Sequence, residues 1–313
     1  MTDLAIDIGG TYIKYALVDC AYQIKRHWKI ATRQASDFPL YDHIVCNIPS
    51  DVSYEGIAVS VPGVLMPDST VRSRASSALA ELYGTNICQE LGRRTGHPIS
   101  AINDGNAAAL FEACFGEARD AQSSITVVIG TGIGGGLCHK GVLVEGDALA
   151  AGEFHMLPWP GPDGKRHKLG DLCKIGAVQR DYFRAVGQSL SAEEILARSA
   201  GGDFAAAQAV DHWMFHLTTL LITLTAVYDP AVFCIGGAVS KSQLFITELS
   251  RRYEADGRAY FPAPAYASAR VVPCSNYNGS NLLGAVVNSR LGIRAGDQTA
   301  GYPSFSSTSR NGV

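Results

Sequence analysis

The sequence predicts an α/β fold laid out twice, as two related domains facing each other across a cleft. Three observations carry that prediction. The stretch LAIDIGGTYIKYALVD, residues 4–19, places apolar, strand-like runs on either side of a Gly-Gly-Thr turn and reads as a β-hairpin. The stretch SITVVIGTGIGGGLCHKGVLV, residues 124–144, repeats strand, glycine-rich turn and strand. After each hairpin, short apolar strands alternate with segments of helical periodicity.

The elements follow in order. YQIKRHWKIA, just after the first hairpin, offers a third strand, and GIAVSVPG (56–63) is an apolar strand ending in a Pro-Gly turn. Residues 79–95 read as a helix stopped by Gly96, and PISAIND (98–104) as a strand. GNAAALFEACFGEA (105–118) reads as a helix, with Ala107, Leu110, Phe111 and Cys114 at helical spacing. Beyond the second hairpin, 174–200 and 204–228 read as helices, and AVFCIGG (231–237) as a strand running into a Gly-Gly turn. A helix near 242–255, a strand at ARVVPC and a last helix near 279–291 complete the pattern. The first domain is expected over 1–118 and the second over 119–278, with the helix at 279–291 packing back on the first. Residues 295–313, rich in Ser, Gly and Thr, are expected to be a mobile tail.

Composition narrows the function. The chain has 313 residues, 47% hydrophobic and 18% charged, which suits an ordinary globular protein of one large or two ordinary domains. With a net charge of −3 and no face-sized Lys/Arg cluster, no nucleic-acid partner is expected. The eight cysteines are dispersed without a CxxC pair and read as reduced, buried thiols of a cytoplasmic protein. No signal peptide is visible, and the longest apolar stretch, LTTLLITLTAVY (217–228), is too short and too rich in Thr to span a bilayer. It reads as the buried end of a helix. The sequon Asn278-Gly279-Ser280 means little without a secretory signal.

The turns carry the chemistry. A hairpin tip needs glycine, but it does not need an acid just before it, so Asp7 and Thr11 ask for a function. Gly130–Gly135 matches GxGxxG, yet a dinucleotide turn must open a helix, and here a strand follows. No GxxxxGK[ST] follows any strand. Either turn alone is plausible as an ordinary hairpin. Two turns flanked by Thr11, Lys14 and Thr131 point instead to anion cradles of exposed backbone N–H groups and hydroxyls. Facing across a cleft, they would hold a polyphosphate. Asp104, where a strand meets a helix, reads equally as a helix N-cap and as a rigid catalytic carboxylate.

At this point the sequence resembles the ROK family of sugar kinases, within the actin/hexokinase-like ATPase superfamily. DIGGT (7–11) is similar to its first phosphate loop, GTGIGGG (130–136) to its second, and NDGNAAAL (103–110) to its catalytic stretch. AGEF (151–154) is similar to its sugar-binding segment, and CIGGAVS (234–240) to its adenosine loop. The resemblance runs from Asp7 to about Leu291. It implies two actin-like, ribonuclease H-like domains and an ATP-dependent carbohydrate kinase acting with Mg²⁺ on a hydroxyl of a hexose, hexose derivative or β-glucoside. It implies that Asp7 holds Mg²⁺ through water and that Gly9, Gly10, Thr11, Lys14, Thr131 and Gly132 serve the phosphates. Gly236 and Gly237 would admit the adenosine. Asn103, Asp104, Glu153 and His155 would hold the sugar, with Asp104 as its general base. The resemblance also implies a homodimer.

The sequence departs from the family after AGEF. Many members have a cysteine cluster binding structural zinc there. The segment 158–173 has only Cys173, and His155, His167 and Cys173 offer at most three ligands, so no zinc site is expected. This is similar to the β-glucoside kinase subgroup, which also lacks the cluster. Asp171 is an alternative to His155 as a further sugar contact. His212 and His216, one helical turn apart, read as packing rather than metal ligands. The loop RSRASSALAEL (72–82) is expected to cover the sugar. A sugar-responsive repressor of the family would need a helix-turn-helix before the first hairpin, which starts at residue 4. A chaperone ATPase would need a peptide-binding domain, and a non-catalytic sensor of sugar or nucleotide would be expected to lack Asp104.

Overall fold

The computed structural model describes residues 2–32, 38–73, 77–161, 163–276 and 279–292. The tail expected to be mobile lies outside the described residues, as does part of the 72–82 loop.

Three antiparallel strands open the chain: β1 (Thr2–Ile8), β2 (Tyr12–Asp19) and β3 (Ile24–Ala31). Then follow α1 (Leu40–Cys46), β4 (Gly56–Val61), α2 (Ile87–Thr95), β5 (Ile99–Asn103) and α3 (Asp104–Cys114). The second set begins with β6 (Ser123–Ile129), β7 (Ile133–His139) and β8 (Val142–Leu143), followed by a small hairpin of β9 (Pro158–Pro160) and β10 (Arg166–Lys168). Helices α4 (Gly170–Cys173), α5 (Ile175–Val186), α6 (Ala192–Ala200) and α7 (Phe204–Tyr228) come next. β11 (Val232–Gly236), α8 (Gln243–Tyr260), β12 (Arg270–Pro273) and α9 (Ser280–Leu291) end the described chain.

The two large sheets have the same plan. The first runs β3-β2-β1-β4-β5 and the second β12-β11-β6-β7-β8. In each, an antiparallel hairpin supplies the first strands and two parallel strands extend the sheet from the first of them. The duplicated α/β architecture read from the two hairpins is therefore present, with the two five-stranded sheets of an actin-like fold.

Between the sheets lie α3 and α9, packed along each other. α9 rests on β1, β4 and β5, while α3 rests mainly on β6 and β7. At their crossing, Gly284 leaves no room for a side chain against the Ala107 carbonyl. Leu110, Ala107, Leu283 and Val286 are buried in this central layer. A second core, including Leu4, Ile6 and Val59, lies between the first sheet and α1 and α2. The largest, including Trp213, Tyr182 and Phe245, lies between the second sheet and α5–α8.

Three boundaries differ from the sequence reading. The helix expected over 79–95 is a 3-10 turn, Ser77–Leu82, then α2. Gly84 turns the chain at φ 80°, and the Asn86 side chain starts α2 afresh by accepting from the Gln89 amide. The helix expected over 174–200 is split because Gly187, at φ 70°, ends α5 and a Ser191–Glu194 capping box opens α6. α3 stops at Cys114, since the Gly116 amide turns back onto the carbonyls of Phe111 and Glu112. The short α1, β8, β9, β10 and α4 carry too little periodicity to be seen in the sequence.

Candidate active site

The acid of the first hairpin is buried. Asp7, 4% exposed, accepts a hydrogen bond from the Lys14 ammonium at 2.9 Å and one from the Ser60 hydroxyl at 3.0 Å. Both partners follow from register: Lys14 lies opposite Asp7 on β2, and Ser60 lies beside it on the parallel strand β4. A single ammonium and a hydroxyl are thus the partners of this carboxylate in the interior. The turn beyond is tied from β3's end, where the Thr32 hydroxyl donates to the Gly9 carbonyl at 2.6 Å and its amide to the Thr11 carbonyl at 2.9 Å. Gly10 and Thr11 remain exposed at the tip. Ser60 and Thr32 carried no signal in the sequence beyond their residue type, because their roles depend on neighbouring strands.

Asp104 is not the cap of α3. That place belongs to Asn103, whose amide oxygen accepts from the Asn106 N–H at 3.0 Å while its NH₂ group donates to the Gly63 carbonyl at 3.0 Å. Asp104 is the first residue of the helix, half-buried, with one oxygen accepting from the Gly105 amide at 2.8 Å. Burial, then the neighbouring charge of Asp7, and more weakly that of Glu153, push its carboxyl up to about 7, against the pull of the Gly105 N–H. Asp104 thus feels the charges of both Asp7 and Glu153. Burial also raises Glu153 above the usual carboxylate value. The start of the 72–82 loop reaches this region indirectly, since the Ser73 hydroxyl accepts from the Val64 amide at 2.8 Å, next to Gly63.

The glycines of the second hairpin divide by role. Gly132 has open space around it, and the Gly130 amide closes the turn onto the Gly132 carbonyl at 2.9 Å, leaving Thr131 exposed. Gly134, Gly135 and Gly136 lie on β7 itself. A methyl on Gly135 would overlap the Phe154 ring and the Thr126 carbonyl, and one on Gly105 would overlap the Gly135 backbone. Gly134 faces the Asp104 carboxylate. These glycines let the start of α3 and the Glu153 segment sit directly on the strand. Gly152, at φ 91°, comes equally close to Gly135.

Gly237, at φ 92°, has no room for a side chain against the Ile129 carbonyl, so close approach of β11's end to β6 already requires glycine there. Gly236 ends β11 and is buried. His155 lies on the 3-10 turn after Glu153 with Asp171 4.0 Å away, and Asp171 is itself held by Lys174 at 2.6 Å. Burial lowers the His155 imidazole against the opposing pull of Asp171. The Ile175 amide donates to the Gly130 carbonyl at 3.0 Å, joining α5's start to the second turn.

The remaining candidates lie apart. His167 pairs with Asp163 at 2.9 Å, and Cys173 is buried under α7 with its thiol directed at the His216 carbonyl. Against the sequence reading the cysteines are not all buried: Cys138, Cys173, Cys234 and Cys274 are, whereas Cys20 and Cys46 lie exposed on the surface. His212 and His216 face each other at 3.0 Å, with His212 also on Asp181 at 2.7 Å and His216 against Trp159. Burial, with help from His212, lowers His216 to about 4. Among the described residues no three His, Cys, Asp or Glu side chains are grouped to hold a metal, and no helix is long and apolar enough to cross a membrane.

Comparison with known proteins adds an identity to this geometry. The chain is 28% identical over 294 residues to the β-glucoside kinase of Listeria innocua serovar 6a, covering 90% of this chain and 95% of that protein. Its fold matches the crystal structure of a ROK family protein from Streptococcus pneumoniae TIGR4 in complex with sucrose, at a TM-score of 0.78 and 27% identity, covering 92% of this chain and 97% of the other. It also matches a ROK family glucokinase from Streptomyces griseus in complex with glucose and AMPPNP, at a TM-score of 0.77 and 22% identity, covering 93% and 99%. The ROK family model itself matches residues 3–289, and the chain belongs to the ROK family.

Proposed function

We propose that this protein transfers the γ-phosphoryl group of ATP to the 6-hydroxyl of a hexose, a hexose derivative or a β-glucoside. The kinase relatives support the reaction class: an ATP-dependent carbohydrate kinase. The observation that carries the reading is Asp104, pushed up to about 7 between Asp7 and Glu153 at the start of α3, with Asn103 relieving it of capping. A carboxyl near neutrality is a competent base for a hydroxyl that must lose its proton as it attacks phosphorus. The new bond joins the sugar oxygen to the γ-phosphorus, the bond to the departing ADP oxygen breaks, and Asp104 takes the proton.

The other residues position and neutralise. Asp7 and Glu153 each act on the Asp104 carboxyl; among the described residues no three such side chains are grouped to hold a metal, so a divalent cation there would be reached through water rather than by direct ligation. Asp7 would hold Mg²⁺ through water; when bound, the ion offsets phosphate charge. The exposed tips at Gly9, Gly10, Thr11 and at Thr131, Gly132 would cradle the phosphates, and Lys14 would contact them while remaining near Asp7. Gly236 and Gly237 would border the adenosine. Asn103 keeps one amide hydrogen and one lone pair for a sugar hydroxyl. Glu153 would accept two hydroxyls, and His155 would contact the ring.

Our reading further assigns a first lobe to 1–118 with 279–291 rejoining it, a second lobe to 119–278, a cytoplasmic location and a homodimer. A coupled assay of ADP release over a panel of sugars and glycosides tests the function. Release with at least one hexose or glycoside is expected; none with Mg²⁺ and ATP present would overturn it.

A further inference from the structure

The chain passes between the two large sheets twice. It leaves α3 at Cys114 and enters the second sheet at Ser123; it leaves that sheet at Pro273 and enters α9 at Ser280. α9 then rests on the first sheet. Both crossings meet at one side chain, Glu112, near the end of α3 and fully buried.

Each of its carboxyl oxygens accepts two hydrogen bonds. Oε1 takes the Ser275 amide at 3.0 Å and the Ser280 hydroxyl at 2.8 Å. Oε2 takes the Glu117 amide at 3.0 Å and the Ser275 hydroxyl at 2.9 Å. Glu117 lies on the outward crossing, Ser275 and Ser280 on the return. Four donors fill the acceptor sites of a carboxyl group. A methyl on Gly116 would overlap the same carboxyl, so the outward chain runs directly over it. Among the described residues no Lys, Arg or His pairs with Glu112, and its donors are all neutral. An acid buried without a cation is an expensive way to fill space, and an apolar side chain of similar volume would pack there at least as well. What the acid adds is direction, since it fixes three residues from two crossings to one place on α3.

The same helix begins with Asp104 and is seated on β7 where Gly105 meets Gly135. Any rotation of one sheet against the other must be taken up in the two crossings. We propose that Glu112 is a positioning residue for phosphoryl transfer: it joins both crossings to α3, so that the lobes close about a fixed axis and the bound substrates meet Asp104 in register. The inference rests on the kinase reading and its two lobes.

The test uses the full chain with Glu112→Gln, which keeps the shape of the side chain but turns one acceptor oxygen into an NH₂ group facing two donors. Hydrogen exchange without ligands should be about tenfold faster at both crossings, 115–122 and 270–276, with β1 and β6 unchanged. With Mg²⁺, ATP and the best acceptor of a sugar panel, kcat should fall at least about tenfold while calorimetric sugar affinity stays within about threefold, because misplacing bound groups slows the step without weakening binding. Leu249→Ala, at a buried position of α8, measures mere loss of stability and should keep kcat near wild type. If Glu112→Gln does not fold, the pair Ser275→Ala and Ser280→Ala, which removes two of the four donors and leaves the acid, should show the same pattern in smaller measure. Faster exchange at one crossing only, an unchanged kcat, or an equal fall of kcat in Leu249→Ala would overturn the proposal. If the wild type phosphorylates no acceptor, the kinase reading fails by itself. The exchange measurement then still decides whether Glu112 joins the crossings: a joint rise supports it and separate behaviour overturns it.

Discussion

The two glycine-rich hairpins share a plan and differ in what their glycines do. In the first, Ile8 pairs with Ile13 across a four-residue turn; in the second, Ile129 pairs with Ile133 across three. One pair inward, the first hairpin has Asp7 opposite Lys14 and the second has Val128 opposite Gly134. The first hairpin therefore buries an acid paired across the strands with a lysine. The second brings a bare backbone surface, on which the start of α3 and the Glu153 segment rest. The comparison teaches that glycine density alone does not mark a ligand cradle. Gly132 has open space around it, whereas Gly135 is already consumed by packing.

The sharpest test is at Asp104, which faces both hairpins. Asp104→Asn should lower kcat by ~10²–10⁴-fold while calorimetric sugar affinity changes less than about tenfold, the pattern of a lost base. A variant keeping more than about a tenth of wild-type kcat would remove the catalytic role. Wild-type kcat/KM should rise with pH through about 7, as the carboxyl loses its proton. The same raised value bears on stability. The folded state holds a proton that the unfolded chain releases nearer the ordinary value of 3.8, so this carboxyl destabilises the fold increasingly as pH rises from there to about 7. Asp104→Asn should thus gain up to about 4 kcal/mol at pH 8 and little at pH 4, measured by urea unfolding.

Next in size is the asymmetry of the hairpin charges. Asp7→Ala should weaken Mg²⁺-dependent turnover by ~10–100-fold, as expected for a residue acting on a metal through water, and should leave sugar affinity nearly intact. Normal turnover of that variant at low Mg²⁺ would erase the distinction between the hairpins. Stability separates the glycines further. Gly135→Ala should cost about 1–3 kcal/mol from overlap with Phe154 and Thr126, while Gly132→Ala should stay within about 0.5 kcal/mol. Thermal denaturation reads this as several degrees against almost none, at roughly 2–4 °C per kcal/mol. The smallest expected effect is none: chelation should leave the melting temperature unchanged, and elemental analysis should find no tightly held zinc. A zinc whose removal unfolds the protein would contradict this.

Much of this site was legible because its signals are local. Alternation and Gly-Gly-Thr placed β1, β2 and their turn, and the same pattern found the second hairpin. Breaks inside helical stretches were not legible, since Gly84 and Gly187 stop helices through backbone conformations that composition does not state. Nor was the β9–β10 hairpin, whose strands are three residues each.

By itself the sequence determined the strands, the turns and the order of the five motifs, because each depends on residues close together in the chain. It left open whether Asp104 caps α3, and it placed neither Ser60 beside Asp7 nor Phe154 against Gly135. Those were decided only by tertiary structure. A carboxyl's proton affinity depends on burial and on charges brought near it, and here those charges come from Asp7 on β1 and Glu153 after β8. Likewise, which glycine is free and which is buried depends on what packs over it, and only the folded layers of α3 against β7 supply that answer.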